Sequence, residues 1–224
     1  MIRRCALAGV AVCVLSGAAA FAAKPGEAPG DFPRFVVPGR DREMESLRRL
    51  FALAPQEPFL FSDTVAANVA FADDQMETAA VDAAVAAAAL DQDLPQLHAG
   101  LGTIVGERGV TLSGGQKQRV SLARALLSDR PGLLLDDTLS AVDPVTERRI
   151  LRGLDQERRG RTMLVASHRL SVLADADLIL VLAHGRIAER GDHRSLLAEA
   201  GLYAGAFRRQ SEAAALESGP EESA

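Results

Sequence analysis

Hydrophobic positions along the chain fall into short blocks separated by turn-forming residues, and the spacing inside each block predicts its element. Phe51-Ala52-Leu53-Ala54 is an apolar run stopped by Pro55, which predicts a short buried strand. Gln75 to Leu90 is alanine-rich and predicts a helix, with Asp73 or Asp74 able to cap its start. Leu133 to Leu135, entered through Pro131-Gly132, predicts a strand core. Val145 to Leu154 reads as a helix, Thr162 to Ala166 and Leu178 to Leu182 as strands, and His193 to Arg208 as a closing helix. Strands alternating with helices predict an α/β layer architecture. No internal repeat is visible.

The flanks have a different texture. Residues 24–46 read as a linker, with four prolines and three glycines between Lys24 and Arg40. Residues 210–224 are polar and acidic, which predicts a disordered tail. Residues 1–23 open with Arg3-Arg4 and continue as an uncharged apolar run from Cys5 to Ala23, with small residues at Ala20 and Ala22. This is the pattern of a signal peptide, or else a spurious segment foreign to the rest of the chain.

Composition narrows the function. The formal charge is -5, from 25 Lys+Arg against 30 Asp+Glu, so the chain has no global basic footprint and no nucleic-acid partner is expected. Both cysteines, Cys5 and Cys13, lie near the start, which leaves no disulfide framework or cysteine metal site in the remainder. Lysine occurs only as Lys24 and Lys117. That scarcity matters below.

Chemistry concentrates at a few points. Leu112-Ser113-Gly114-Gly115-Gln116-Lys117-Gln118-Arg119 joins a helix-capping serine to two glycines and a helix-forming run. A helix start with open N–H groups and a hydroxyl suits an anion such as phosphate. Leu133-Leu134-Leu135-Asp136-Asp137 ends an apolar strand in two carboxylates, at the carboxyl edge where α/β sheets bind ligands. One carboxylate could hold Mg2+ and its neighbour could orient an attacking water. Gln56 and His168 each follow a predicted strand and reach the same edge.

In order and wording these pieces resemble the nucleotide-binding domain of ATP-binding cassette (ABC) transporters. Gln56 within APQEPFLFSDTV resembles the Q-loop glutamine, and LSGGQKQR at 112–119 matches the family signature at its core. LLLDD at 133–137 resembles the Walker B strand, SAVD at 140–143 the D-loop, and His168 the switch histidine. Val105-Gly106-Glu107-Arg108-Gly109 resembles the segment that faces the membrane domains in exporters. The resemblance covers residues 47–209 and implies a P-loop NTPase-like α/β fold with an incomplete parallel sheet and a helical subdomain from Thr64 to Asp129.

It further implies ATP and Mg2+ as cofactors, with Asp136 and Gln56 at the metal. Asp137, His168 and Gln56 would be the catalytic set. Ser113, Gly114, Gly115, Gln116 and Asp143 would meet nucleotide across a dimer. The implied partners are a second ABC ATPase domain, in a heterodimer, and the transmembrane domains of an exporter. The implied place is the cytoplasmic face of the inner (plasma) membrane, which conflicts with the signal-like residues 1–23.

Three departures from the family shape the expectation. The phosphate-cradling G-x-x-x-x-G-K-[ST] does not occur: Lys24 precedes Pro25, and Lys117 belongs to the signature. Autonomous ATP hydrolysis is therefore not expected, and the chain reads as an amino-terminally truncated domain. Its alternatives are a non-catalytic partner that donates its signature in trans, or an inactive gene fragment. Asp137 stands where active members usually carry glutamate, as in the degenerate sites of heterodimeric exporters. Finally, losing the preceding strands is expected to leave Leu133 to Leu135 on an unpaired sheet edge.

Overall fold

A computed structural model describes residues 10–13, 45, 48–71, 77–109, 111–157 and 161–218. One six-stranded sheet organises them. The strands are β1 (Val10–Cys13), β2 (Phe51–Ala54), β3 (Gly132–Asp136), β4 (Thr162–Ala166), β5 (Leu178–Ala183) and β6 (Arg186–Gly191). Their spatial order is β2-β3-β4-β1-β5-β6. All pairings are parallel except β5 with β6, a hairpin that adds an antiparallel edge.

The pairing register sorts side chains onto two faces. Ala52, Leu133 and Met163 lie abreast, as do Ala54, Leu135 and Val165, and the first five of these six are buried. The helix α3 (Gly114–Leu127), reached through α1 (Val65–Val69) and α2 (Thr78–Ala87), packs on β2 from that side. Its Val120, Leu122 and Ala123 are fully buried. Phe51 and Leu53 alternate to the other face and are exposed. Between α1 and α3 the chain forms a helical subdomain, as expected for Thr64 to Asp129, stitched by 3-10 turns at Leu90–Gln92, Leu94–Gln96, Gly100–Gly102 and Glu107–Gly109. The helix α4 (Pro144–Glu157) follows β3, while α5 (His193–Ala198) and α6 (Leu202–Ser218) close the chain.

Several expectations change. The three-leucine strand is not an edge: β3 is paired with β2 on one side and β4 on the other. Val10–Cys13, read as part of a signal-like or spurious segment, occupies the slot between β4 and β5. A short apolar run does not disclose by periodicity alone whether it is a leader, a helix or a central strand. The rest of 1–23, and nearly all of the 24–46 linker, lie outside the described residues. So do Asp73 and Asp74, and α2 starts at Thr78 behind Glu77, which makes no side-chain cap.

The closing helix is two helices. Ala200, at a φ of 53°, and Gly201 break it between α5 and α6. The tail expected to be disordered is helical as far as Ser218, because Glu212, Ala213 to Ala215 and Leu216 are good helix formers. Residues 219–224 lie outside the described set.

Candidate functional site

The register of the parallel strands carries the predicted polar residues to one edge. Ala54 pairs with Leu135, and Asp136 with Ala166, so Gln56, Asp136, Asp137 and His168 all leave the carboxyl ends of three adjacent strands. Gln56 and Asp136 are exposed there. Asp137 turns sharply out of β3 at a φ of 44°, a left-handed conformation that aspartate tolerates better than most side chains. Its N–H donates to the Ala166 carbonyl at 2.7 Å, and Thr138 Oγ1 donates to the Ala54 carbonyl at 3.2 Å. These two bonds pin the turn to both neighbouring strands.

Asp137 and His168 meet directly. His168 Nδ1 lies 2.7 Å from Asp137 Oδ1, with the imidazole 55% exposed and the carboxylate 14% exposed. That oxygen is buried and receives no well-aligned hydrogen bond. A buried carboxylate oxygen held only by an imidazole contact is open to a further donor or cation.

The signature residues form a second locus. Ser113 caps α3: its hydroxyl accepts from the Gln116 N–H at 3.2 Å, and Gln116 Oε1 accepts from the Ser113 N–H at 2.9 Å. This reciprocal box fixes the first turn and leaves the Gly114 and Gly115 N–H groups at the helix start. The glycines differ in role. A Cβ on Gly115 would stand 2.9 Å from the Ala141 carbonyl oxygen, so only glycine lets the turn settle on the 140–143 loop, whereas Gly114 has no such crowding. Below them Asp93 takes a bidentate grip from Arg119, at 2.8 Å from Nε and 2.6 to 2.7 Å from Nη2.

Asp143 caps α4 by accepting from the Val145 and Thr146 N–H groups, both at 3.0 Å. The Thr146 side chain, then its backbone N–H, hold the Asp143 carboxyl below the usual aspartate range.

Two sets of residues join these loci, and sequence reasoning assigned them no role. Gln118 lies one turn into α3. It donates to Ser140 Oγ at 3.0 Å, accepts from the Ala141 N–H at 3.1 Å, and donates at 3.5 Å to the Gln56 carbonyl. Ser140 Oγ in turn donates to the Asp137 carbonyl at 2.8 Å. The second set surrounds His168. Arg169 Nη1 donates to the Val142 carbonyl at 2.8 Å and forms a short ion pair with Glu147, whose other oxygen accepts from Ser171 Oγ at 2.7 Å. Glu147 is buried and acidic in the first turn of α4, the one local signal that could have marked it.

The segment after Gln56 is built around Arg124. Its guanidinium donates to the carbonyls of Asn68 at 2.7 Å and Phe59 at 3.0 Å, and stacks 5.2 Å from the Phe71 ring centre. Burial draws its pKa below the ordinary arginine value.

A family model for ABC transporters matches residues 30–140. The multidrug resistance-like ATP-binding protein MdlA of Escherichia coli (strain K12) is 45% identical over 192 residues, 86% of this chain and 32% of that protein. The chain belongs to the ABC transporter family. An ATP-dependent lipid A-core flippase of Aromatoleum aromaticum is 48% identical over 78% of this chain and 30% of its own length. Among solved structures, a bacterial Atm1-family ABC exporter with ATP bound aligns with a TM-score of 0.70 and 46% identity, over 74% of this chain and 29% of that one. The chain thus has the exporter-type ABC ATPase fold and spans about a third of the length of the curated relatives it matches.

The ABC family implies ATP and Mg2+, and the residues fit these unequally. Asp136, Gln56 and the under-bonded Asp137 Oδ1 are oxygen donors of the kind Mg2+ takes. No group of three or more His, Cys, Asp and Glu converges among the described residues. A bound Mg2+ would thus need water and phosphate oxygens besides, as is usual for this ion. The phosphate side does not fit. Cys13 ends the strand in the β4–β5 slot, and the sequence that follows it has no lysine before Lys24. Lys117 lies within α3, its Cε against Gly109.

Proposed function

We propose that this chain is an ATP-binding unit of an ABC exporter that lends its signature helix to a partner ATPase domain and does not hydrolyse ATP by itself. The observation that carries this reading is the contrast between two half-sites. The start of α3 is boxed, glycine-open and exposed at Ser113 and Gly114. The same chain lacks the lysine and glycines that would hold the phosphates of its own nucleotide.

In this reading residues 47–209 form the ABC ATPase unit. The Ser113 hydroxyl, the N–H groups of Gly114 and Gly115, and the Gln116 amide face the γ-phosphate held by the partner, where a helix N-terminus stabilises negative charge. Asp143 lies beside them and passes contact across the dimer. On the chain's own edge Asp136 and Gln56 would hold Mg2+, Asp137 would orient water, and His168 would meet the γ-phosphate. With phosphate binding missing there, and Asp137 one methylene shorter than glutamate, that half stays silent. Bound ATP supplies the cleavage free energy that moves cargo. The partner is a different chain, making a heterodimer at the cytoplasmic face of the membrane, and residues 57–61 and 105–109 face the transmembrane domains. Export as the direction is supported by relatives named as multidrug resistance-like proteins and lipid flippases. No helix among the described residues is long and apolar enough to cross a membrane.

The test is complementation in trans. The chain is mixed with an ABC exporter ATPase domain that carries G-x-x-x-x-G-K-[ST] but has its own signature serine replaced by arginine. ATP turnover should appear on mixing and vanish when Ser113→Arg is used. Turnover that never appears, or that survives Ser113→Arg, defeats the proposal.

A further inference from the structure

The helix α6 ends the described chain far in sequence from every motif above, yet one of its side chains grips the loop that carries His168. Four residues of α6 share a face at helical spacing: Tyr203, Ala206, Phe207 and Gln210. The first three pack into the smaller core formed with Leu170, Leu173, Ile179 and Leu196. Tyr203 is fully buried, and its hydroxyl lies 2.7 Å from His193 Nδ1. The amino end of α6 is held by Glu189, whose carboxylate accepts from the Leu202 N–H at 2.5 Å and the Tyr203 N–H at 3.0 Å.

Gln210 is the polar end of this face. Its Nε2 donates to the His168 carbonyl at 2.6 Å, and its Oε1 accepts from the Leu170 N–H at 3.0 Å. One amide thereby brackets the two peptide units that follow the imidazole. From the other side Arg169 and Ser171 tie the same loop to Glu147 and to the Val142 carbonyl beside Asp143.

We infer that Gln210 is a positioning residue for His168, through which the carboxy-terminal helix sets where the imidazole stands against Asp137. Without it the loop keeps its tie to α4 and the buried anchors Leu170 and Leu173, and the peptide that carries His168 against Asp137 loses its direct hydrogen bond. An amide does this where other side chains do not, because it must donate to one peptide carbonyl and accept from an N–H two residues on. Solvent reaches Gln210, so each bond is worth the modest amount of an ordinary hydrogen bond. The clamp does not rest on the role proposed above for His168, which stands in the half-site read as silent.

The experiment is NMR on the full chain, whose histidines are His98, His168, His184 and His193. The His168 imidazole signals are assigned by their loss in His168→Gln. Gln210→Met keeps the length and removes both bonds; Gln210→Glu keeps the acceptor for Leu170 and removes the donor to His168. Both should move or broaden the His168 signals. Gln210→Met alone should speed exchange of the Leu170 amide, by roughly fivefold, the worth of one hydrogen bond. The His193 signals should stay in place, because His193 reports the seating of α6 through Tyr203.

His168 signals unchanged in both variants overturn the inference. So do His193 signals that move along with His168, since the helix as a whole would then have shifted. In the trans assay Gln210→Met should leave turnover within twofold, because His168 stands in the half proposed to be silent. If the unsubstituted mixture shows no turnover, the proposed function fails while the NMR result still decides the clamp.

Discussion

The ion pair under the signature helix gives the sharpest stability prediction. Arg119 and Asp93 are 11% and 9% exposed, and three donor–acceptor contacts of 2.6 to 2.8 Å join them. Asp93→Ala would leave the guanidinium buried and unpaired beneath the first turn of α3. Breaking a buried pair from one side costs about 3–5 kcal/mol, a large share of the ~5–15 kcal/mol that holds a domain together. The Gln116 Nε2 contact to Asp93, at 3.5 Å, adds little.

With a urea m-value of roughly 2 kcal/mol/M, the unfolding midpoint should fall by about 1.5–2.5 M. Asp93→Leu combined with Arg119→Met replaces both charges by apolar groups, and should recover most of that loss because no charge is stranded. Equilibrium urea unfolding followed by far-UV circular dichroism measures all three proteins. A loss below about 1 kcal/mol for Asp93→Ala, the level of a surface pair, would refute the reasoning. So would a double variant no more stable than Asp93→Ala.

Other consequences are independent of that pair. Gly153→Ala would put a Cβ 2.6 Å from the Ala87 carbonyl oxygen, so α2 and α4 must separate. The ~1 kcal/mol helix-propensity gain should be outweighed by overpacking of about 1–3 kcal/mol, giving a lower Tm by calorimetry; an increase would contradict the close approach. Ser113→Ala removes the cap of α3 and should destabilise by about 1 kcal/mol in chemical denaturation, against no change if the box does not form in solution. The Asp143 carboxyl is held below its ordinary value by Thr146, so its contribution is full above the unfolded aspartate pKa and is lost as pH falls through the lower folded value. Melts from pH 7 to pH 3 should therefore fall less steeply at the acid end for Asp143→Asn than for the unsubstituted chain. Asp137→Glu should leave turnover of the trans mixture within twofold of its starting value, and a rise of tenfold or more would mean that this chain's own half-site is active.

The sequence alone determined the chemistry-bearing words and their local geometry. Ser113 with Gln116, and Asp143 with Thr146, are three residues apart, so their caps follow from helix geometry without the rest of the molecule. Four strands with strong apolar runs, at Phe51, Leu133, Thr162 and Leu178, were legible for the same local reason. Arg186–Gly191 was not, because an edge strand needs no apolar alternation and half of this one is charged. The split at Ala200 was hidden too, since one left-handed residue in an alanine-rich stretch leaves no pattern.

Tertiary structure decided which of these words touch. Gln118 reaches Gln56 across 62 residues, and Gln210 reaches His168 across 42. It also placed Val10–Cys13 as a central strand and gave β3 a neighbour on each side. Side-chain amides and carboxylates can bond to almost any backbone group. Their partners are fixed only when sheet register and helix docking bring one such group within about 3 Å.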